Sequence, residues 1–449
     1  MSKQRIQLSD HFTYSRLLRF VLPCIGTMLF TSIYGIVDGL CVSNFVGKTA
    51  FAAVNLIMPL PMLLGTIGFM LGTGGSAIVG ITLGEGDQKK ADRYFTLFLL
   101  AALISVSVLA VLGIVFLRPI AVLLGAKGEL LDYAVRYGRI LMVSLPSFAL
   151  QNIFQSFFVT AEKPHLGFWF TVGAGCTNMV LDVLMVGIWG WGVEGAAIAT
   201  FISQLVGGVL PVFYFIDRSN SSRLHLCKTS FYSKVLRDAC INGSSELMTN
   251  LSMSLVNILY NYQLLRLAGE NGVAAYGVIM YAAFLFVAVF VGYAVGSAPI
   301  VSFHYGARNH AEVHNLYRKS LRLIAVVAVT LTLASMFIIP CVARIFVGYD
   351  AELLALTSWA FRLYALSFLI MGFNVYASSF FTALGDGVTS ALISFLRTLA
   401  FQVIAILLLP LLLGIDGIWL AVTAAELAAL AVSTAMLLTK DKVFHYRKA

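Results

Sequence analysis

The chain has 449 residues, of which 59% are hydrophobic and 11% are charged, and its mean hydropathy is +0.90. Soluble globular domains usually carry about 25% charged residues, so this composition excludes that class and indicates a protein embedded in lipid. The formal charge of +9 does not indicate nucleic-acid binding, because the basic residues lie in short loops between apolar runs.

Twelve apolar runs predict the helices of the chain. A helix that crosses a bilayer needs roughly 20 apolar residues, and each run reaches that length. In chain order, predicted helices 1 to 12 cover 16–42, 51–81, 93–117, 133–157, 166–188, 194–217, 235–263, 273–303, 316–340, 355–381, 388–412 and 417–438. The predicted fold is therefore an all-α membrane protein with twelve transmembrane helices.

The two halves of the chain repeat each other at one fixed offset. Gly47 corresponds to Gly269 and Gly84 to Gly306, and the register continues without a gap to Leu205 and Leu427. Six helices per copy make both copies enter the membrane from the same side, so a pseudo-two-fold axis along the membrane normal relates two parallel lobes. The predicted domains are an N-terminal six-helix lobe (1–217), a linker (218–234), and a C-terminal six-helix lobe with a short basic tail (235–449).

Basic residues are concentrated in alternate loops, including the linker and the C-terminal tail. By the positive-inside rule, the linker and both termini are cytoplasmic, as an even number of spans requires. No small-residue cleavage site follows the first apolar run, so helix 1 is expected to insert itself. The expected location is the plasma (inner) membrane, with multiple passes.

The first lobe carries two acidic residues within apolar runs. An unpaired acid inside a span costs roughly 2.5–3.5 kcal/mol, so each is a functional candidate. Helix rise puts Asp38 roughly 30 Å and Asp182 about 26 Å from the cytoplasmic end, with Asn178 one turn before Asp182 and Thr200 entering from the outer side. The alternative is that both acids cap outer helix ends in water. We favour a shielded pocket, in which their repulsion lets the pair bind a proton, or a sodium ion at Asp38, Asn178 and Asp182.

Pro23 is a candidate hinge in helix 1. It removes a backbone hydrogen bond about four turns before Asp38, so the helix is able to bend there. A bend at Pro23 would move Asp38.

The second lobe offers a different set of candidates. Glu246 is expected about 14 Å from the cytoplasmic end of helix 7, and Glu426 about ten residues into helix 12. Glu426 occupies the repeat position of Gln204, so we predict that these three residues line a cleft between the lobes. Arg397 in helix 11 either snorkels to the membrane surface or pairs with an acid.

Several large side chains fall in helices expected to flank that cleft, among them Tyr34, Tyr260 and Met280. Ring faces and thioethers hold organic cations, so we include these residues as candidate substrate contacts. The alternative is that they are packing residues or interface anchors.

No motif indicates an enzyme or a nucleotide-driven pump. The chain lacks a phosphate-cradling GxxxxGK[ST], HExxH and GxSxG, and its six cysteines show no metal-ligand spacing. We expect no enzymatic activity and no cofactor. The energy source is then an ion gradient, with H⁺ or Na⁺ as the coupling ion, or a partner protein.

The repeated junctions after helices 2 and 8 carry a family resemblance. Residues 74–77 leading to 84–87, and their counterparts 296–299 leading to 306–308, resemble the signature of the multidrug and toxic compound extrusion (MATE) family, as do 152–161 and 374–383. The resemblance implies two six-helix lobes, a V-shaped cleft, and export of organic cations or other amphipathic compounds against proton or sodium entry.

The resemblance also implies site residues. In the DinF-like branch, a first-lobe cation site uses a helix 1 Asp, an Asn and an Asp one turn apart on helix 5, and a helix 6 Thr; the residues that match this set are Asp38, Asn178, Asp182 and Thr200. The NorM-type branch relies on a helix 7 Glu, which Glu246 matches, and on a helix 10 Asp. Helix 10 here has no acid beyond Asp350 and Glu352 near its outer end.

The leading prediction is a secondary active multidrug efflux antiporter whose substrates are small organic cations or amphipathic compounds. We expect it to contact membrane lipids but no nucleic acid, and to be a monomer. A lipid-linked precursor flippase of the same wider superfamily is the alternative, although it would need a large cationic cleft. A major-facilitator carrier also has twelve spans, but the loop 84–93 lacks that family's Gly-x-x-x-Asp-Arg-x-Gly pattern.

Overall fold

The computed structural model describes residues 6–46, 48–348 and 350–447. Within these ranges the regular secondary structure is entirely helical. The first lobe contains α1 (Tyr14–Phe45), α2 (Lys48–Ile57 and Pro59–Gly84), α3 (Gln88–Leu123), α4 (Gly128–Thr160), α5 (Pro164–Asp182, with a π-helical end at Val183–Ile188) and α6 (Gly192–Gln204, a π-helical stretch at Leu205–Val209, and Leu210–Ile216).

The second lobe begins after a linker without helix. Its elements are a short helix (Ser233–Asn242) leading into α7 and α8, which together form Ser244–Gly306, then α9 (His310–Val347), α10 (Ala351–Ala365 and Phe368–Ala383, bent by 46°), α11 (Gly387–Phe395, a π-helical stretch at Leu396–Ala400, and Phe401–Leu413), α12 (Ile415–Thr439) and the short α13 (Asp441–Phe444).

The long segment Ser244–Gly306 is two membrane helices folded against each other. Its 63 residues would span roughly 95 Å if straight, about three bilayer thicknesses. Gly269 interrupts the helix with φ 62° and ψ −152°, a backbone conformation that other residues avoid. The Tyr276 hydroxyl donates to Asn257 Oδ1 at 2.8 Å across this break, so α7 and α8 run antiparallel.

This hairpin completes the count of membrane crossings. Ten helices of the described chain are individually long and apolar enough to span a membrane, and the bent α10 pair adds one more. Dividing Ser244–Gly306 at Gly269 gives the twelfth. The predicted number of transmembrane helices is confirmed.

Several helices begin earlier than their apolar runs because polar residues cap them. Asp87 accepts the backbone N–H of Lys90 at the start of α3, and Asn309 accepts that of Glu312 at the start of α9. Asp87 and Asn309 are repeat partners, so both lobes use the same cap. Each cap satisfies an N–H that lacks a helical partner, which extends the helix beyond the lipid-facing residues.

The first and last described segments, near Leu8 and Tyr446, lie with the linker on one side of the molecule, which we call the linker side. In the N-terminal segment, the Leu8 backbone N–H donates to Glu162 Oε1 at 2.9 Å, in the turn between α4 and α5. Arg223 of the linker contacts the same oxygen at 2.5 Å. At the other terminus, His314 Nδ1 of α9 donates to the carbonyl oxygen of Tyr446 at 2.9 Å.

The two lobes pack tightly at the linker side through α2 and α8. Gly84 and Gly306 are repeat partners, and a Cβ atom at either one would collide with a backbone carbonyl of the other lobe, that of Phe303 or Ile81. At the far end of the first lobe, a separate hydrophobic cluster contains only first-lobe side chains, among them Ile57, Leu117, Tyr137 and Val193. The cleft between the lobes is therefore closed at the linker side.

Candidate functional site

A cavity of about 300 Å³ lies between the lobes, and most of its wall belongs to the second lobe. Its floor includes Thr73 and Ser76 of α2 and Ser156 of α4. Helices α7, α8, α10, α11 and α12 supply the remaining wall. This volume accommodates a small organic molecule.

Glu246 is the acidic residue at one end of the cavity. It lies in the first turn of the helix that begins at Ser244, where the helix dipole favours a negative charge. Among the described residues, none donates a hydrogen bond to its carboxylate. Ser245 and Thr249 line the cavity beside it. The carboxylate is thus available to a ligand.

Stacked tyrosines form the other end of the cavity. The rings of Tyr260 and Tyr276 stack with centroids 4.9 Å apart, and Met280 follows Tyr276 by one helical turn. The hydroxyl of Tyr260 donates to the carbonyl oxygen of Ile418 at 3.3 Å, which fixes the ring. Along α7, Glu246 and Tyr260 are roughly 21 Å apart, so the cavity is elongated, with a charge at one end and rings at the other.

Glu426 and Arg397 form a buried ion pair in the cavity wall. Arg397 Nε donates to Glu426 Oε1 at 2.7 Å, and the Glu426 side chain is fully buried. Asn374 Nδ2 donates to Glu426 Oε2, also at 2.7 Å. Arg397 therefore pairs with an acid in the structure and does not snorkel to the membrane surface.

The first-lobe candidates Asn178 and Asp182 of α5 and Thr200 of α6 lie together in the interior of the first lobe. Asn178 Nδ2 is 3.5 Å from Thr200 Oγ1, and Asp182 is fully buried one turn after Asn178. The α-helix changes to a π-helix directly after Asp182, a feature common at functional sites. Asn178 Oδ1 is buried without a hydrogen-bond partner. These oxygen atoms suit a proton or a hard cation such as sodium.

Four further predicted residues lie elsewhere in the molecule or outside the part of it that the structure describes. Asp38 lies on α1, but its side chain is outside the described part of the chain. Tyr34 packs against Phe30 with ring centroids 6.2 Å apart, and Gln204 directly precedes the π-helical stretch of α6. Neither Tyr34 nor Gln204 is part of the described cavity wall. Pro23 lies inside α1, which is continuous through it.

Some residues of the cavity wall were not singled out from the sequence. They are Tyr276, Phe284, Asn257, Tyr364 and Gln402. Sequence spacing could have identified part of this wall, because residues four apart share a helix face. This spacing holds for Tyr276, Met280 and Phe284. The partners on α10 and α11 come from tertiary packing, which spacing within one helix does not show.

The two lobes differ at equivalent positions of the repeat. Glu426, Arg397 and Asn374 correspond to Gln204, Gly175 and Asn152, so the second-lobe charges have neutral counterparts. Conversely, Asp182 corresponds to Ile404. Each lobe therefore places its buried charges where the other lobe has none.

Two segments of the chain match the same protein family. The family model described as MatE matches residues 23–184 and 247–408, which together form most of the chain and correspond to the two lobes.

Relatives match over almost their whole length. The chain is 21% identical over 436 residues to the multidrug export protein MepA of Staphylococcus saprophyticus, covering 96% of this chain and 95% of that protein. It is 22% identical over 433 residues to the protein of the same name from Staphylococcus aureus, with the same coverage of both.

A solved structure described as the outward-facing conformation of a multidrug resistance MATE family transporter of the MOP superfamily has the same fold. It superposes with a TM-score of 0.92 at 22% identity, covering 99% of each chain. The predicted fold of two six-helix lobes and the predicted family resemblance are both confirmed. The family consists of transporters and not enzymes. The chain belongs to the multidrug and toxic compound extrusion (MATE) family.

Proposed function

We propose that this protein is a secondary active multidrug efflux antiporter, which exports organic cations or other amphipathic compounds in exchange for protons or sodium ions. The similar Staphylococcus proteins are named as multidrug export proteins. The observation that carries the proposal is the cavity, which joins the partnerless carboxylate of Glu246 to a wall of aromatic and apolar side chains. A ligand with a cationic group and an apolar body is complementary to both parts.

Coupling is assigned to the first lobe, at Asp38, Asn178, Asp182 and Thr200. Buried carboxylates change charge when they bind an ion, and the hinge at Pro23 gives α1 a second geometry for the loaded site. An ion that binds one geometry better than the other shifts the equilibrium between them. The substrate contacts are assigned to Glu246, Glu426, Tyr260 and Met280. Gln204 and Tyr34 of the first lobe are proposed as further contacts, although they do not line the described cavity.

The linker and both termini are assigned to the cytoplasm and the protein to the plasma (inner) membrane, as a monomer. The basic linker and tail support this orientation. With it, the described conformation is closed toward the cytoplasm by α2 and α8. Export then requires a second conformation, in which the linker side separates and the opposite side closes.

Reconstitution tests the proposal. Proteoliposomes containing the purified protein and a fluorescent organic cation would receive a proton gradient or a sodium gradient separately, at equal membrane potential. Antiport predicts that one of the two gradients drives the dye beyond passive equilibration, and that an ionophore for that ion abolishes the effect. Dye movement that never exceeds equilibration under either gradient contradicts the proposal.

A further inference from the structure

The inference concerns Arg397, whose place in the cavity is not explained by the binding of cations. The residue lies in the π-helical stretch Leu396–Ala400 of α11, and its side chain is only 13% exposed. It lines the same cavity as Glu246. Its positive charge offsets the attraction that the carboxylate of Glu426 alone would exert on an organic cation, so a cavity for cations alone gains nothing from Arg397.

The guanidinium group is held firmly on one edge. Its Nε donates to Glu426 Oε1 at 2.7 Å, and Asn374 Nδ2 anchors both Glu426 Oε2 at 2.7 Å and the Glu426 carbonyl oxygen at 2.9 Å. These contacts fix the plane of the guanidinium relative to α10 and α12. A group fixed in this way loses little conformational entropy when it binds a ligand.

The other edge of the guanidinium is open. Arginine carries five N–H donors, and only the Nε donor has a described acceptor. Neither η nitrogen has a described acceptor, and the Arg397 side chain, which is 13% exposed, lines the cavity. Two η N–H groups side by side match the two oxygens of a carboxylate, sulfonate or phosphate.

The fold itself does not require this ion pair. The first lobe builds the equivalent six-helix unit with Gln204 in place of Glu426 and Gly175 in place of Arg397. Buried ion pairs in a membrane protein are costly to insert and rarely stabilise more than a neutral packing does. The pair is therefore better explained by a ligand than by folding.

We propose that Arg397 is the residue of this cavity that binds the acidic group of a zwitterionic substrate. The acidic group binds the η edge of Arg397, the apolar body lies against Tyr260 and Tyr276, and a cationic group reaches Glu246. This inference rests on the proposed export function, because it assigns Arg397 to the acidic end of a substrate in the same cavity.

The test uses two dyes with one ring system: a cationic rhodamine ester and its parent acid, which is zwitterionic. Affinities are measured on the purified full-length protein in lipid nanodiscs. The variant is the double substitution Arg397→Gln with Glu426→Gln, which leaves no buried charge unpaired and reproduces the first lobe's glutamine. Thermal unfolding of this variant checks that it is folded.

We expect wild-type protein to bind both dyes, and the double variant to bind the acid roughly tenfold more weakly, because a charge-assisted bidentate contact is lost. Its affinity for the ester should fall clearly less than its affinity for the acid, because the ester has no acidic group for Arg397 to bind. Arg397→Lys alone should retain part of the affinity for the acid, since lysine keeps the positive charge but cannot donate two parallel hydrogen bonds. Glu246→Gln should weaken the binding of both dyes, because both carry the cationic group that contacts Glu246.

Two results would overturn the inference while leaving the export function intact. One is a wild-type protein that binds the ester and not the acid, and the other is an equal loss of both dyes in the double variant. Binding of neither dye by wild-type protein would instead contradict the proposed function, and the subsite with it.

Discussion

His11 and Glu312 lie 301 positions apart, and His11 Nδ1 is 2.6 Å from Glu312 Oε2 at the linker side. The other oxygen of Glu312 accepts the Phe12 backbone N–H at 2.8 Å. Lys319 donates to the Phe12 carbonyl oxygen at 2.6 Å, and Leu8 reaches Glu162 in the first lobe. Residues 6–13, which we call the N-terminal latch, therefore connect both lobes where the cleft is closed.

The first prediction is that Glu312→Ala loosens this closure. Removing a charged acceptor of several hydrogen bonds costs roughly 1.5–3 kcal/mol per bond, which favours separation of the lobes at the linker side. Ser302 of α8 is buried against Gly80 of α2, so it serves as the probe once it is replaced by cysteine in a cysteine-free background. Thiol labelling of Ser302→Cys should accelerate roughly tenfold in the Glu312→Ala protein.

The matched control for the latch is Glu352→Ala, since Glu352 is an exposed acid in the first turn of α10. This substitution should leave the labelling rate unchanged. Equal acceleration by both substitutions would show that the latch does not hold the lobes together.

The second prediction concerns acid stability at Asp386, the cap of α11. Burial alone would raise the pKa of Asp386, but hydrogen bonds from Lys440 and Thr389 outweigh it and lower the pKa below its ordinary value. A lowered folded-state pKa contributes stability that is present above the unfolded value of about 3.9 and is lost as pH falls through the folded value. Because Lys440 is partly exposed, we expect a contribution below about 1 kcal/mol.

Unfolding temperatures of wild-type and Asp386→Asn protein in detergent, measured against pH, check this prediction. Asparagine retains the cap and removes only the charge. The wild type should be the more stable at neutral pH, and the difference should shrink below about pH 4. A difference that stays constant down to low pH would rule out the lowered pKa. Asp132→Asn, at an exposed residue of α4, is the control.

The third prediction is the proposed topology. Ser221 is exposed in the linker, and Trp189 is exposed in the turn between α5 and α6. Single cysteines at these positions should label from opposite sides with an impermeant thiol reagent, and Ser221→Cys from the cytoplasm. Trp189 is a better choice than Gly192, whose φ of 60° disfavours a side chain. Labelling of both from one side would refute the orientation.

The fourth prediction is that Glu246→Gln weakens the binding of cationic substrates more than the binding of neutral ones. The carboxylate attracts charge, so loss of charge should lower affinity for a cation roughly tenfold and for a neutral analogue about twofold or less. Glu270→Gln is the control, because Glu270 is an exposed acid at the α7–α8 turn of the same lobe. An equal loss for both substrates would indicate a structural or coupling role for Glu246.

Much of the fold was predictable because lipid imposes simple rules on sequence. The apolar runs and the repeat predicted twelve helices in two lobes, since a membrane helix must be long and apolar whatever it contacts. The helix ends were less predictable: predicted helix 7 was continuous over 235–263, whereas the structure interrupts it at Gly243. The depth calculated for Glu246 assumed a straight helix and does not apply across that break.

The site was partly predictable for a related reason. An acid in an apolar run is conspicuous, so Glu246, Glu426 and Asp182 could be chosen from the sequence alone. Their partners could not, because the pairing of Glu426 with Arg397 depends on how α11 and α12 pack. The π-helical stretches after Asp182 and around Arg397 also arise from packing and have no signature in the apolar pattern.

The central claim is that substrate export and ion entry are coupled through the first lobe. The most direct measurement applies an outward substrate gradient to proteoliposomes and records proton or sodium movement with an ion-sensitive dye. Antiport predicts that the substrate gradient drives one of these ions uphill in the opposite direction. Asp182→Asn should abolish that ion movement while substrate binding is retained, because Asp182 does not line the described cavity. Substrate flux without opposing ion movement in the wild type, or unchanged ion movement in Asp182→Asn, would contradict the account.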